Sequence, residues 1–434
     1  MNPQAEELNE IIKRNNPHVL GMLSEKGKAI FFPKKGILAQ TADAKGKEIN
    51  ATIGIALEED GSPVRLKSIA SHIKGIDPKE VFPYAPSQGK PELRKRWKEL
   101  IYEKNPSLKG KEISLPIVTN ALTHGLSMIG YMFVNQGDKI ISPDLYWGNY
   151  NLIFINGYGA AIDVFPTFVN GGFNAEGLKE KLSQGTGKKI ILLNFPNNPT
   201  GYTPTEKEAE QIINVIKESA EAGNNIVVLI DDAYFGLVYK KGIFTESIFA
   251  QLADMHERIL AVKLDGATKE DYAWGLRVGF VTYGIKGSNK EIYDALEAKT
   301  AGAVRGNISN DSHLSQSLVL GAFTSPKYSV EKKKKYNLLK KRYKEVEKVL
   351  KEHKEYTEVF EALPFNSGYF MCVKLKEGLD GEKIRQNLLQ KYNTGVIALG
   401  NIIRIAFSAV PTEKITKLFE NLYNACKDQN QKAD

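Results

Sequence analysis

The chain has 434 residues, 42% apolar and 25% charged, a net charge of +8 and two cysteines, Cys372 and Cys426. Such a length and composition suit a globular enzyme of two or three domains, and two cysteines argue against a disulfide framework and suit a reducing cytosol. No apolar run approaches a bilayer span, and the polar start "MNPQAEELNEIIKRNNPHVL" has no apolar signal core, so a cytoplasmic protein without a membrane partner is expected.

From about residue 110 to 285, short apolar runs alternate with helical patterns. "VTNALTHGLSMIGYMF" (118–133) is a strand end turning into a helix, and the first amides of that helix, around Ala121, Leu122 and Thr123, make an anion site. Strands follow at 139–143 and 160–166, and between them "LYWGNYNLIF" offers Trp147 as an exposed flat ring. The strand at 189–195 runs into "NFPNNPTGYTPT", which is turn chemistry, and then into a helix over 204–223. The strand at 225–231 ends on Asp231, with Tyr234 three residues on. A carboxylate at the end of a buried strand is costly unless a cation meets it.

Two further strands, 259–264 and 277–283, flank "GATKEDYAWGLRVGF", where Lys269 and Arg277 stand eight apart. Taken alone, this stretch reads as a solvated hairpin-like loop. The alternation as a whole implies βαβ units and a mostly parallel sheet. A basic helix over 332–354 carries Tyr336, Leu339, Tyr343, Val346 and Leu350 on one stripe, and its lysines read as a solvated face. That helix holds much of the excess charge, and no nucleic-acid motif accompanies it, so no nucleic-acid partner is expected. Strands at 368–375 and 401–408 and a closing helix, with Ile415, Leu418, Leu422 and Ala425 on one face, suggest a smaller α+β domain. "QGTGKK" and "GYGAAI" lack the full patterns of nucleotide loops, and the histidines show no metal spacing, so no metal is expected.

Gathered at neighbouring strand ends, these segments supply an anion cradle, a flat ring, a carboxylate, a phenol, an amide and a lysine. That set suits a flat, phosphorylated, basic heterocycle with an aldehyde, and pyridoxal 5'-phosphate fits it group by group. In the order Asn-Pro-Thr-Gly (198–201), Asp-x-Ala-Tyr (231–234) and Lys-x7-Arg (269–277), the chain resembles the fold-type I pyridoxal-phosphate enzymes of the aspartate aminotransferase family, from about Gly54 to Arg404.

The resemblance implies an α/β fold: a large cofactor domain over 65–330, with a mostly parallel seven-stranded sheet between helices, and a smaller α+β domain built from 1–64 and 331–434. It implies roles as well. Lys269 would hold the cofactor aldehyde covalently, Asp231 would pair with the ring nitrogen, Asn198 and Tyr234 would bond the ring hydroxyl, and Trp147 would stack on the ring. Arg277, Thr268 and the amides at 121–123 would hold the phosphate, joined by Tyr84 of a partner subunit in a homodimer with shared sites. Arg404, helped by Gly54, would clamp the substrate α-carboxylate, and Arg305 would reach across the dimer to an acidic side chain.

Two departures stand out. Many relatives have Ser-x-Ser-Lys where this chain has Gly-Ala-Thr-Lys (266–269), and the anion loop reads Ala-Leu-Thr where relatives use smaller residues. The implied activity is ping-pong transamination between an acidic or aromatic L-amino acid and a 2-oxo acid such as 2-oxoglutarate. The same fold also hosts lyases, decarboxylases and synthases, and non-catalytic sensors of the cofactor.

Overall fold

The apolar runs of the middle of the chain pair into a single seven-stranded sheet. In the computed structural model, which describes residues 1–17, 20, 23–30, 36–287 and 289–430, its strands are β1 (Ile117–Asn120), β2 (Lys139–Pro143), β3 (Ala161–Phe165), β4 (Lys188–Asn194), β5 (Asn225–Asp231), β6 (Ile259–Gly266) and β7 (Val278–Gly284). Their order across the sheet is β1-β7-β6-β5-β4-β2-β3. Only β7 runs against its neighbours. The fold is thus α/β with a mostly parallel sheet. Within the N-terminal stretch read for a targeting signal, and within 1–64 and 331–434, the remaining residues lie outside the described ones.

The sequence accounts for these elements locally. The four central strands are Val-, Ile- and Leu-rich and almost wholly buried, as a sheet covered on both faces requires. The helices that cover it include α1 (Pro91–Lys104), α2 (Ala121–Phe133) and α3 (Glu206–Glu221). Helix α3 starts where Thr205 and Glu208 form a reciprocal capping box. Trp97 of α1 stacks on Phe280 of β7 with ring centroids 4.3 Å apart, fixing that helix to the sheet.

Between β6 and β7 the chain is not a solvated loop. It forms a one-turn helix, α4 (Ala267–Glu270), and a short 3₁₀ turn at Trp274–Leu276, with Thr268 and Glu270 buried. Helix α5 (Lys290–Ile308) follows, and then the long basic helix α6 (Tyr328–Glu352), whose Leu339, Tyr343 and Val346 are buried as their spacing predicts. Its lysines are not all solvent-facing, because Lys332 pairs with Glu270 and Asp271.

A second, antiparallel sheet comprises β8 (Phe360–Ala362), β9 (Met371–Leu375), β10 (Ile397–Leu399) and β11 (Ile402–Ile405), in the order β8-β9-β11-β10. Strands β9 and β11 are shorter than the apolar runs that contain them. Gly368 turns with φ 71° before β9, and a 3₁₀ turn at Phe407–Ala409 follows β11. The closing helix α7 spans Ile415–Asn430. Among the described residues no helix is long and apolar enough to cross a membrane.

Candidate active site

Parallel strands bring their carboxyl ends to one edge, so Asn194 at the end of β4 and Asp231 at the end of β5 stand in register. A cavity of about 1460 Å³ opens there. It gathers Lys269, Asp231, Tyr234, Asn198, Arg404 and Arg277 on its walls. Thr268, Trp147, Gly54 and residues 121–123 also border it, whereas Tyr84 and Arg305 do not.

Two glycines make this convergence possible. At Gly279 an added Cβ would lie 2.6 Å from the backbone carbon of Ala121, so only glycine lets β7 pass beneath the start of α2. Gly201 closes the Asn-Pro-Thr-Gly turn with φ 70°, and a side chain there would strike the carbonyl of Phe370. Its own carbonyl instead accepts from the amides of Asn366 and Ser367, tying the turn to the approach to β9. Within the turn, Asn197 Oδ1 accepts from the Thr200 amide and hydroxyl, at 3.0 and 2.8 Å. Asn194 Oδ1 accepts from the Asn198 amide at 2.8 Å, while its Nδ2 donates to the Asp231 carbonyl. Asn194 therefore fixes both Asn198 and Asp231.

Among the described residues Lys269, Asp231, Arg277 and Arg404, all on the cavity wall, make no salt bridge. Lys269 sits in α4, its carbonyl accepting from the Tyr369 hydroxyl at 2.9 Å and its ammonium 5.3 Å from the Tyr234 ring centroid. Among the described residues its Nζ makes no salt bridge. Burial pushes its pKa down, Asp231 works against that shift, and Arg277 adds to it.

Asp231 is buried, which raises its pKa, and among the described residues no cation pairs with it. Instead the Tyr150 hydroxyl donates to Oδ2 at 2.6 Å and the Ala233 amide to Oδ1 at 3.1 Å; these bonds and the field of Lys269 hold the shift in check. Arg404 is 2% exposed and has no carboxylate partner among the described residues. Its Nη2 donates to the Thr52 carbonyl at 2.9 Å and its Nη1 to Asn198 Oδ1 at 3.3 Å, its guanidinium lies 4.4 Å from the Phe370 ring centroid, and its Nε is unbonded.

Several expectations need adjusting. The Ala121 amide is not free for an anion, because it donates to the Arg277 carbonyl at 2.9 Å, which leaves Leu122 and Thr123 as the donors. Trp147 is half-buried rather than exposed, its ring edge-on to Tyr150 at 5.5 Å. Arg277 adopts φ 55° and is exposed, with Nη1 3.3 Å from the Trp274 carbonyl. The buried hydroxyl of Thr268 has no hydrogen-bond partner among the described residues. Tyr84 is 89% exposed, and Arg305 projects from α5 with Nη1 bonded to Ser309 Oγ at 2.9 Å.

Sequence reasoning missed Tyr150, Asn194 and Phe370. Tyr150 lies in the stretch that sequence reasoning reads only for the ring of Trp147, and Phe370 lies in an apparent strand. The pairing of Asn194 with Asp231 could have been read from the lengths of β4 and β5.

The chain belongs to the class I and II aminotransferases, a family of pyridoxal-phosphate-dependent enzymes whose model matches residues 47–422. It is 27% identical over 256 residues to an aspartate aminotransferase of Bacillus sp. (strain YM-2), covering 58% of this chain and 59% of the relative. It is 28% identical over 222 residues to a histidinol-phosphate aminotransferase of Staphylococcus carnosus (strain TM300), covering 51% and 54% respectively. The chain thus spans between half and three-fifths of the length of these curated relatives. Its structure superposes on an aminotransferase from Anaerococcus prevotii DSM 20548 with a TM-score of 0.82 and 26% identity, covering 93% of this chain and 99% of the other.

Proposed function

We propose that the chain is an aminotransferase that moves the amino group of an acidic or aromatic L-amino acid to a 2-oxo acid such as 2-oxoglutarate, by a ping-pong cycle. One observation carries this reading. At a single cavity, among the described residues, the buried Arg404 guanidinium has no carboxylate, Lys269 has no ion pair, and the buried Thr268 hydroxyl has no partner. Buried polar groups are ordinarily satisfied, so an unsatisfied set facing a cavity calls for a ligand. Pyridoxal phosphate fits this one: Thr268 and the Leu122 and Thr123 amides for a phosphate, Asp231 for a ring nitrogen, Lys269 for an aldehyde.

Bound there, the cofactor supplies an electron-accepting ring that stabilises negative charge at the substrate Cα. The chain's own residues do the rest. Asp231 accepts two hydrogen bonds that favour its anion against the effect of burial, and it borders the cavity. Lys269, its amine made easier to deprotonate by burial, accepts the Cα proton. Arg404 offers a planar two-pronged donor to an α-carboxylate, orienting the Cα bonds. In the same reading the cofactor part spans 65–330 and the two chain ends form the smaller part. Tyr84 and Arg305 serve the other subunit of a homodimer, which suits the exposure of Phe82 at 82% and Tyr84 at 89%.

An amino-donor screen with 2-oxoglutarate tests the activity. Glutamate should accumulate only when pyridoxal phosphate and an acidic or aromatic donor are both present. Release of carbon dioxide or ammonia without glutamate would replace this reading with a decarboxylase or lyase on the same fold.

A further inference from the structure

The turn that presents Lys269 is held from behind by charges to which the proposed chemistry gives no task. Helix α4 is a single turn, too short to fix a side chain through its own backbone hydrogen bonds. Two lysines from distant helices converge on the residue after Lys269. Lys104, at the end of α1, meets the two oxygens of Glu270 at 3.0 and 3.1 Å, with its Nζ 4.5 Å from the Trp97 ring centroid. Lys332, near the start of α6, meets Glu270 Oε1 at 2.5 Å and Asp271 Oδ1 at 3.1 Å. The Tyr328 hydroxyl donates to that same Asp271 oxygen at 2.6 Å. Glu270 and Asp271 are both buried. Lys263, between Asp232 and Asp265, completes the cluster.

The members of this cluster do not balance. Asp232, Asp265, Glu270 and Asp271 supply four carboxyl groups, and Lys263, Lys104 and Lys332 supply three ammonium groups. Among the described residues Asp271 Oδ2 has no hydrogen bond. A buried carboxylate short of partners attracts any cation within reach. Lys269 is within reach, because adjacent Cα atoms lie about 3.8 Å apart and a lysine ammonium rides on a flexible four-carbon stem. Resting on the cofactor reading above, we infer that Lys104 and Lys332 are positioning residues: by occupying Glu270 and Asp271 they keep the Lys269 amine out of the interior and free to face the cavity. Removing either one deepens the shortage of positive charge directly beside Lys269.

The test compares two ligands of the cofactor-stripped full chain. The aldehyde of pyridoxal 5'-phosphate condenses with the Lys269 amine and releases water, whereas pyridoxamine 5'-phosphate offers the same ring and phosphate with no aldehyde. Lys332→Met should weaken pyridoxal phosphate binding at least about 10-fold, an effect that one unmatched buried charge can supply. The borohydride-fixed label on Lys269 should fall in step. Affinity for pyridoxamine phosphate should stay within about 3-fold, because Lys332 lies away from the ring and phosphate contacts. Glu270→Gln combined with Lys332→Met restores the wild-type balance of charge and should return pyridoxal phosphate affinity to within about 3-fold of wild type. A parallel loss for both ligands, no loss for either, or a double variant as impaired as the single one would overturn the inference. Should Lys332→Met fail to fold, Lys104→Met, at the part-exposed end of the cluster, is held to the same outcomes, with Glu270→Gln again as the rescue. Wild-type protein that binds neither ligand would sink the cofactor reading itself. Normal wild-type binding of both, beside an unaffected Lys332→Met, sinks only this inference.

Discussion

Asp231 and Asp232 are adjacent in sequence, as are Lys269 and Glu270, yet within each pair one side chain borders the cavity and the other sits in the packed interior behind it. Behind the cavity the buried charges stand in ion pairs. Lys263 is fully buried between Asp232 and Asp265, Ser247 donates to Asp232, and Trp97 donates to Asp265 at 2.9 Å. Glu270 receives Lys104 at 3.0 Å and Lys332 at 2.5 Å, and Lys332 also reaches Asp271, 3.1 Å away. On the cavity side Asp231, Lys269 and Arg404 have no such partners among the described residues. The difference separates two uses of buried charge. A paired network fixes the positions of strand ends and of the α4 turn, while unpaired groups hold binding energy for a ligand.

Breaking the cavity side should cost activity. Lys269→Ala is expected to lower turnover by at least about 10³-fold, through loss of both the covalent anchor and the proton acceptor, while phosphate and ring contacts still bind the cofactor. Single-turnover kinetics beside a cofactor titration would show whether the two effects separate. Breaking the interior should cost stability instead. Asp232→Ala leaves Lys263 short of a partner and should remove about 3 to 5 kcal/mol of unfolding free energy. Asp231→Ala should fold with near-native stability and lose rate at α-proton removal, visible as an altered isotope effect with a Cα-deuterated substrate. If the two aspartates exchange these phenotypes, the division between the regions is wrong.

Much of this was legible beforehand because the sheet obeys period and length rules. Each of β2 to β7 coincides with an apolar run, and the motif residues at 198, 231 and 269 fall where parallel strands end. What escaped notice depends on contacts distant in sequence. Tyr150 meets Asp231 across 81 positions, and Gly201 fits beneath Phe370 only because β9 begins there. The charges around Glu270 were invisible for a similar reason. Lys332 belongs to a helix whose lysines look solvated until the fold brings one of them against α4.

Arg305 sharpens the comparison from outside both regions, since it is a cation on the surface whose side chain, among the described residues, bonds only Ser309. In the proposed dimer it would read an acidic side chain in the other subunit. Arg305→Leu should then lower kcat/KM for aspartate or glutamate roughly 30- to 1,000-fold while sparing phenylalanine and tyrosine. An unchanged ratio between the two substrate classes would remove the acidic assignment alone.

The smallest expected effect is one of pH. Burial works to raise the pKa of Glu270, and Lys104 and Lys332 override it, holding the carboxyl down at about 2. Because the folded value lies below the unfolded one, this contribution to stability is present above about pH 4.5 and is lost as pH falls towards 2. The gap in unfolding free energy between wild type and Glu270→Gln should therefore narrow across that window. A gap that stays constant would mean that the pairing contributes packing rather than charge.

The most direct test of the central claim is chemical. Borohydride reduction of the protein with bound pyridoxal phosphate, followed by peptide mapping, should place a single stable label on Lys269. A label on Lys263, Lys332 or any other lysine would contradict the assignment of Lys269 as the unpaired amine that this cavity exists to use.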